Sequence, residues 1–224
     1  MLSIVRKAGT PFFLTGGTAL SRYYTHHRYS DDLDFFVIQD PGYADHVNLI
    51  LQRLMEAEKA GILLLDHSTV NRGKAYTQFF VKEVQHSEIE LKMEFINDVA
   101  AHYGQIAYVP VLGRIDSLRN ILSNKLTALF RSEPKDVVDI HAIAIQNQFN
   151  WRELVTEAKR KEVGANPETI YDILNSFPLE YINTIKWISR PDGERFKHEI
   201  RTIADDILLG RENSLAPQSA KKLQ

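Results

Sequence analysis

The chain has 224 residues, 44% of them hydrophobic and 25% charged, the make-up of an ordinary globular protein with room for one large domain or two small ones. Net charge is only -2, so bulk electrostatics announce no nucleic-acid binder, although a local basic patch is enough to hold a few phosphates. The absence of cysteine excludes disulfides, thiolate nucleophiles and cysteine-based zinc sites, and it suits a reducing compartment.

Taken in chain order, Phe12 to Thr15 reads as a short apolar strand, Gly16-Gly17 as a turn and Thr18 to Tyr24 as a short helix. Asp32 to Ile38 is a second strand. Val47, Ile50, Leu51, Leu54 and Met55 recur at helical spacing within residues 43 to 60. Three strand-like runs follow at Ile62–Leu65, Tyr76–Val81 and Ile89–Ile96, the last two joined by the polar connection KEVQHSE. From Asp116 the chain turns helical. DSLRNILSNKLTALF lines up Leu118, Ile121, Leu122, Leu126 and Leu129, and PKDVVDIHAIAIQ starts on Pro134, which suits a first helical turn. Helical segments continue near 151–160, 167–175, 179–188 and 194–209, broken at Pro178, Pro191 and Gly193. The expected organisation is α+β: a mixed module over 1–113, a helical module over 114–210 that completes the site, and a frayed polar tail over 211–224. Arg6 and Lys7 interrupt the apolar start, and no run nears the roughly 20 apolar residues of a membrane span, so a cytoplasmic protein without a membrane partner is expected.

The carboxylates of YSDDLDFF carry the first chemical signal. Side chains alternate along a strand, so Asp32 and Asp34 share a face, with Leu33 and Phe35 on the other and Asp31 opposite or in the loop. Such a pair either decorates a solvated strand end or binds hard divalent cations such as Mg²⁺ (or Mn²⁺) together with substrate phosphates. Upstream, FFLTGGTALSRYY reads as strand, glycine turn and helix. Gly16 and Gly17 permit close backbone approach, and the helix start with the Thr18 hydroxyl either offers donors to a triphosphate or forms a plain strand–turn–helix junction. In EIELKMEFI, Glu90, Lys92 and Glu94 share a face. Glu94 either completes a two-metal site or sits on an edge strand with one solvated face. Lys125 lies in the middle of the apolar stripe from Leu118 to Leu129 and must snorkel, pair or reach a ligand. Asp136 and Asp139 share a face of the next helix, with Arg131 and Lys135 at the junction. The arrangement that suggests itself has Lys125 meeting phosphate oxygens and Asp139 orienting that lysine or the acceptor; the alternative is a buried structural Lys–Asp pair.

Together, GGTALSRYYTHHRYSDDLDFF, LKMEF and SLRNILSNKLTALFRSEPKDVVDI resemble the AbiEii/AbiGii-type nucleotidyltransferases, toxins of type IV toxin–antitoxin and abortive-infection systems within the DNA polymerase β-like superfamily. The likeness runs from residue 12 to 145 and includes His27, Arg28 and Ser30 of the first motif and Lys125, Lys135, Asp136 and Asp139 of the later ones. It implies a polymerase β-like core followed by helices. Asp32 and Asp34 become the metal-binding pair, with Glu94 the candidate third ligand. Gly16, Gly17, Thr18, Ser30 and Lys125 become nucleotide-binding residues, and Lys125 and Asp139 the later catalytic pair. Arg28, Lys92 and Asp136 are secondary candidates, whereas His26 and His27 are read as scaffold. The implied reaction moves a nucleoside monophosphate from an NTP to an acceptor hydroxyl, with RNA (a tRNA 3′ end among the candidates) as acceptor and a cognate antitoxin as partner. The competing readings are transfer to a small molecule or protein, phosphate transfer, and a non-catalytic NTP-binding module.

Overall fold

A computed structural model describes residues 1–86 and 88–223. Ser87, inside the expected polar connection, and Gln224, at the end of the expected tail, lie outside the described residues. The architecture is mixed α+β, and the chain forms two compact units. One holds Met1–Ala19, Ser30–Ala100 and Ile106–Asp116; the other holds Leu20–Tyr29, Ala101–Gln105 and the chain from Ser117 onward.

The first unit is built on strands β1 (Phe13–Thr15), β2 (Asp32–Ile38), β3 (Leu64–Arg72), β4 (Tyr76–Lys82), β5 (Glu90–Asp98), β6 (Ala107–Val109) and β7 (Gly113–Ile115). Among the described residues they form a seven-stranded mixed sheet in the order β3-β4-β5-β2-β1-β7-β6. Its helices are α1 (Leu2–Lys7), α2 (Gly16–Ala19) and α3 (Tyr43–Lys59). Alternation along the strands sorts the side chains. Leu33, Phe35, Val37, Phe79, Val81, Met93 and Phe95 go to one face, all buried, and α3 contributes Val47, Ile50, Leu51 and Leu54 to the core. Phe35 and Phe79 stack on Phe95 with centroids 5.1 and 5.6 Å away. Tyr43, at the start of α3, donates its hydroxyl to the Phe95 carbonyl at 2.9 Å. An apolar face locked in this way fixes the register, and so decides which residues stand on the opposite face.

Three differences from the sequence reading have physical causes. The turn expected at Gly16-Gly17 is already helical, and α2 continues as a π-helix over Leu20–Thr25 rather than ending at Tyr24. Strand β3 runs on to Arg72 through polar residues whose backbone pairs with β4, a source of order that side-chain periodicity does not report. Strand β5 is interior, parallel to β2 and antiparallel to β4, which overturns the edge-strand alternative for Glu94.

The second unit comprises α4 (Leu118–Ala128), α5 (Pro134–Ala144), α6 (Trp151–Lys161), α7 (Pro167–Asn175) and α8 (Gly193–Leu208), with the small strands β8 (Asn147–Gln148) and β9 (Lys221–Lys222). Capping residues mark the starts: Ser117, Asn150, Asn166 and Asp192 each accept a backbone N–H of the following helix, and Pro134 and Pro167 occupy first turns. The segment expected as helix over 179–188 is a short 3₁₀ stretch, Leu179–Thr184. Past Gly210 the chain is tied down. Asn213 donates to the carbonyls of Ala144 and Asn147 at 2.6 and 2.7 Å, and β9 pairs with β8.

Candidate functional site

The carboxylates of the first unit meet because of strand register. Asp34 pairs with Glu94 across β2 and β5, with Thr15 across β2 and β1, and Glu94 pairs with Gln78 across β5 and β4. Leu14 lies beside Ile115, which sets Asp116 next to Thr15, and the Thr15 hydroxyl donates to Asp116 Oδ2 at 2.5 Å. A polar row of Gln78, Glu94, Asp34, Thr15 and Asp116 therefore crosses the face opposite the core. Asp32 and Lys92, paired with each other, stand on the same face. Asp32 and Glu94 are only partly covered, at 31% and 18% side-chain exposure, so solvent and ligands reach them. Asp116 is fully buried.

Three carboxylates at this spacing need compensation. Lys92 Nζ lies 3.8 Å from Asp32 Oδ2 and 3.4 Å from Glu94 Oε1. Tyr76 Oη lies 2.6 Å from the same Glu94 oxygen, and Glu94 also hydrogen-bonds Asp34. Burial works against charge on Glu94, but the Tyr76 hydrogen bond and the nearby Lys92 outweigh it and hold the carboxyl below its ordinary range. Tyr76 itself is pushed up, by burial first and by its bond to Glu94 second, so it keeps its proton. The Lys92 ammonium is a positive charge that a hard cation can replace.

The donor chemistry suits Mg²⁺ or Mn²⁺: all-oxygen, anionic and half-exposed. Among the described residues no three His, Asp or Glu groups form a ready-made cage. Such a cage is not what Mg²⁺ requires, since it binds through one or two carboxylates with substrate phosphates completing its shell.

Gly16 is fixed at this place by two demands. Its φ is +64°, a left-handed conformation that a Cβ disfavours, and a Cβ there would run into Asp34 Oδ2. Thr18, expected to donate to a triphosphate, is buried and donates to the Asp32 carbonyl instead, tying the start of α2 to the start of β2. Ser30 is half-buried just before β2, and Asp31 is exposed.

The second constellation lies wholly in the helical unit. Lys125, 7% exposed, places Nζ 2.7 Å from Asp136 Oδ1 and 2.6 Å from Asp139 Oδ2. Arg28 grips Asp139 with two parallel donors, Nε at 2.7 Å and Nη2 at 2.8 Å. His27 Nε2 sits 2.9 Å from Asp139 Oδ1, and its other ring nitrogen lies 2.7 Å from the Thr25 hydroxyl. Asp136 and Asp139 are completely enclosed. Burial opposes charge on Asp139, but Lys125, His27 and Arg28 hold its carboxyl far below the usual range; burial likewise opposes charge on Lys125, and the two aspartates reverse that and raise it. Of the residues expected to handle nucleotide, then, Lys125 has the partners of an internal ion network and Asp139 is the group that holds it. His27, read as scaffold, belongs to the same network.

Asp116, Tyr76 and Gln78 escaped the sequence reading. The only signal was an acid ending the short GRID run, and an alternation Tyr-x-Gln-x-Phe that resembles any half-buried strand.

The model of a family described as "Nucleotidyl transferase AbiEii toxin, Type IV TA system" matches residues 4–214. The chain belongs to this family. The match extends on both sides of the 12–145 stretch that carried the resemblance. No curated protein sequence matches the AbiEii-family chain. Solved structures share its fold, among them the following three. JHP933 from Helicobacter pylori is 20% identical with a TM-score of 0.61, over 93% of this chain and 88% of that one. A putative nucleotidyltransferase from H. pylori is 22% identical with a TM-score of 0.60, over 93% and 91%. MenT4, nucleotidyltransferase toxin Rv2826c from Mycobacterium tuberculosis H37Rv, is 15% identical with a TM-score of 0.58, over 93% and 80%. The AbiEii-family chain is accordingly a nucleotidyltransferase by family, with the mixed-sheet fold of these proteins. Among the described residues no helix is long and apolar enough to cross a membrane.

Proposed function

We propose that this AbiEii-family protein transfers a nucleoside monophosphate from an NTP to an acceptor hydroxyl on RNA, a tRNA 3′ end being the first to test. The acceptor oxygen bonds to the α-phosphorus and the hydroxyl gives up its proton. The bond from the α-phosphorus to the bridging oxygen breaks, and pyrophosphate leaves with that electron pair. What carries the reading is the part-exposed pair Asp32 and Asp34, in register with Glu94 and with Gly16, at the start of α2, pressed against the Asp34 carboxylate.

Asp32 and Asp34, with Glu94 as the third candidate ligand, would hold a divalent cation, which would supply positive charge to the phosphate oxygens and lower the pKa of the acceptor hydroxyl. The chain's own contribution is positioning. Gly16 leaves room for Asp34, Thr18 fixes the start of α2 relative to Asp32, and Gly17 and Ser30 complete the proposed triphosphate contacts. Lys92 neutralises the acids until substrate arrives. Lys125 and Asp139 belong to the proposal as the family's later lysine and aspartate, Asp139 acting through the lysine it holds. A cognate antitoxin is the proposed protein partner and the cytoplasm the proposed location.

The test is incubation with each α-labelled NTP, Mg²⁺ and total RNA. Label that moves to RNA with the wild-type protein and not with Asp34→Ala supports the reading. An NTP that binds without any transfer of label sinks it.

A further inference from the structure

Glu94 is held by a side chain that neither the sequence reading nor the family match assigns. Tyr76 lies two positions along β4 from Gln78, the cross-strand partner of Glu94, so it stands diagonal to Glu94 on the same face. A long side chain spans that diagonal, and Tyr76 Oη reaches 2.6 Å from Glu94 Oε1. The same oxygen lies 2.7 Å from Gln78 Oε1. A phenol has one proton, and an anionic carboxylate is a far better acceptor than an amide oxygen. The proton therefore belongs to Glu94. Gln78 then serves the phenol oxygen through its amide NH₂, which a half turn about its last bond brings into place. The result is a directed relay, Gln78 to Tyr76 to Glu94.

We propose that Tyr76, seated by Gln78, is a positioning residue that fixes the Glu94 carboxylate beside Asp34 so that the pair receives a divalent cation as one unit. The inference rests on the metal-site reading above. Three features favour this role over simple packing. The hydroxyl, not the ring, makes the short contact, and the Lys92 ammonium lies farther from the same Glu94 oxygen, at 3.4 Å. Glu94 has a side chain long enough to swing away from Asp34 if nothing holds it. The phenol bonds one oxygen of a carboxylate that also meets Asp34, so it holds Glu94 against the residue with which it would share a cation, as a carboxylate orienter beside a metal does.

The experiment compares wild type, Tyr76→Phe, Glu94→Gln and the double variant in three measurements: melting temperature, Mn²⁺ binding by electron paramagnetic resonance without nucleotide, and label transfer at varied NTP and Mg²⁺. Tyr76→Phe keeps the ring, so the melting temperature stays near wild type. Mn²⁺ affinity falls about 10-fold, the usual effect of losing a group that orients a metal ligand. The Mg²⁺ needed for transfer rises in step, and the KM for NTP at saturating Mg²⁺ is unchanged. In the Glu94→Gln background, Tyr76→Phe adds nothing further. Mn²⁺ affinity unchanged by Tyr76→Phe, or an equal loss in both backgrounds, overturns the inference, as does a wild-type protein that binds no Mn²⁺. If the wild type binds Mn²⁺ with the expected Tyr76 dependence yet transfers no label, the proposed reaction fails and the positioning role stands.

Discussion

Replacing Gly16 by alanine separates stability from function at the proposed site. Two costs are readable. A Cβ at φ +64° costs about 1–2 kcal/mol for the left-handed backbone. The same Cβ meets Asp34 Oδ2, the far end of a side chain that can rotate, and relief by an off-rotamer turn costs about 0.5–1.5 kcal/mol more. The total, about 1.5–3.5 kcal/mol, lowers the melting temperature by about 3–14 °C at the roughly 2–4 °C per kcal/mol of a chain this size. The functional loss is much larger, because the Asp34 carboxylate is what moves. A displacement near 1 Å costs about 100-fold in rate when geometry carries the catalysis. Thermal melts together with label transfer from an α-labelled NTP to RNA give both numbers. In an Asp34→Ala background, Gly16→Ala should cost only the backbone part, since the clash is gone. Wild-type transfer by Gly16→Ala refutes the reasoning. So does a full-sized stability loss in the Asp34→Ala background, which would put the strain elsewhere.

Other substitutions test the remaining assignments. Asp31→Ala, at an exposed position, should leave transfer within a few-fold of wild type, whereas Asp32→Ala or Asp34→Ala should abolish it in the same assay. Lys125→Met leaves Asp136 and Asp139 buried without their shared cation and should destabilise by about 3–5 kcal/mol in urea melts, the cost of breaking a buried pair from one side. Asp139 has a folded pKa below its unfolded value near 3.9, so its stabilisation is complete above about pH 4 and fades only as pH falls further. The melting-temperature advantage of wild type over Asp139→Asn should thus shrink as pH falls from about 4 toward 2; an advantage that stays constant over that range contradicts the network. Burial lowers the His141 pKa despite its 2.7 Å contact with Glu199, so protonation costs stability. Wild type should melt lower at pH 5.5 than at pH 7.5 by a margin that His141→Asn reduces.

What the sequence made legible was local. The alternation around Asp32 and Asp34 and the lysine inside the α4 stripe are one-dimensional patterns, and they predict the strand and the helix on which these residues stand. Register is different, because it is set by long-range packing. Nothing in LKMEF says that Glu94 will stand opposite Asp34 instead of one residue away; that follows from Met93 and Phe95 having to face the core beside Leu33 and Phe35. Asp116 and Tyr76 were invisible for the same reason, since each gains its meaning from a neighbouring strand. The polar tail read as frayed because its anchors, Asn213 and the β9 backbone, bind carbonyls rather than apolar surface. Composition does not report such bonds.

Exposure now divides the charged residues into two kinds that the sequence could only group together. Asp32, Glu94 and Lys92 are open enough to exchange partners, and their mutual contacts, at 3.4 to 3.8 Å, are loose. Asp136, Asp139, Lys125 and Arg28 are enclosed and held at 2.6 to 2.8 Å. A cation or a triphosphate can displace the first set, because each loose ion pair is worth only about 0–1 kcal/mol. It cannot displace Lys125 from Asp139 without stranding a buried carboxylate, at several kcal/mol. Any part that Asp139 plays in nucleotide transfer must therefore be played through the lysine and arginine it fixes. A variant such as Asp139→Asn should then shift the behaviour of Lys125 before it removes any contact to substrate. The signature is a raised KM for NTP together with a lowered melting temperature, where Asp34→Ala lowers transfer alone.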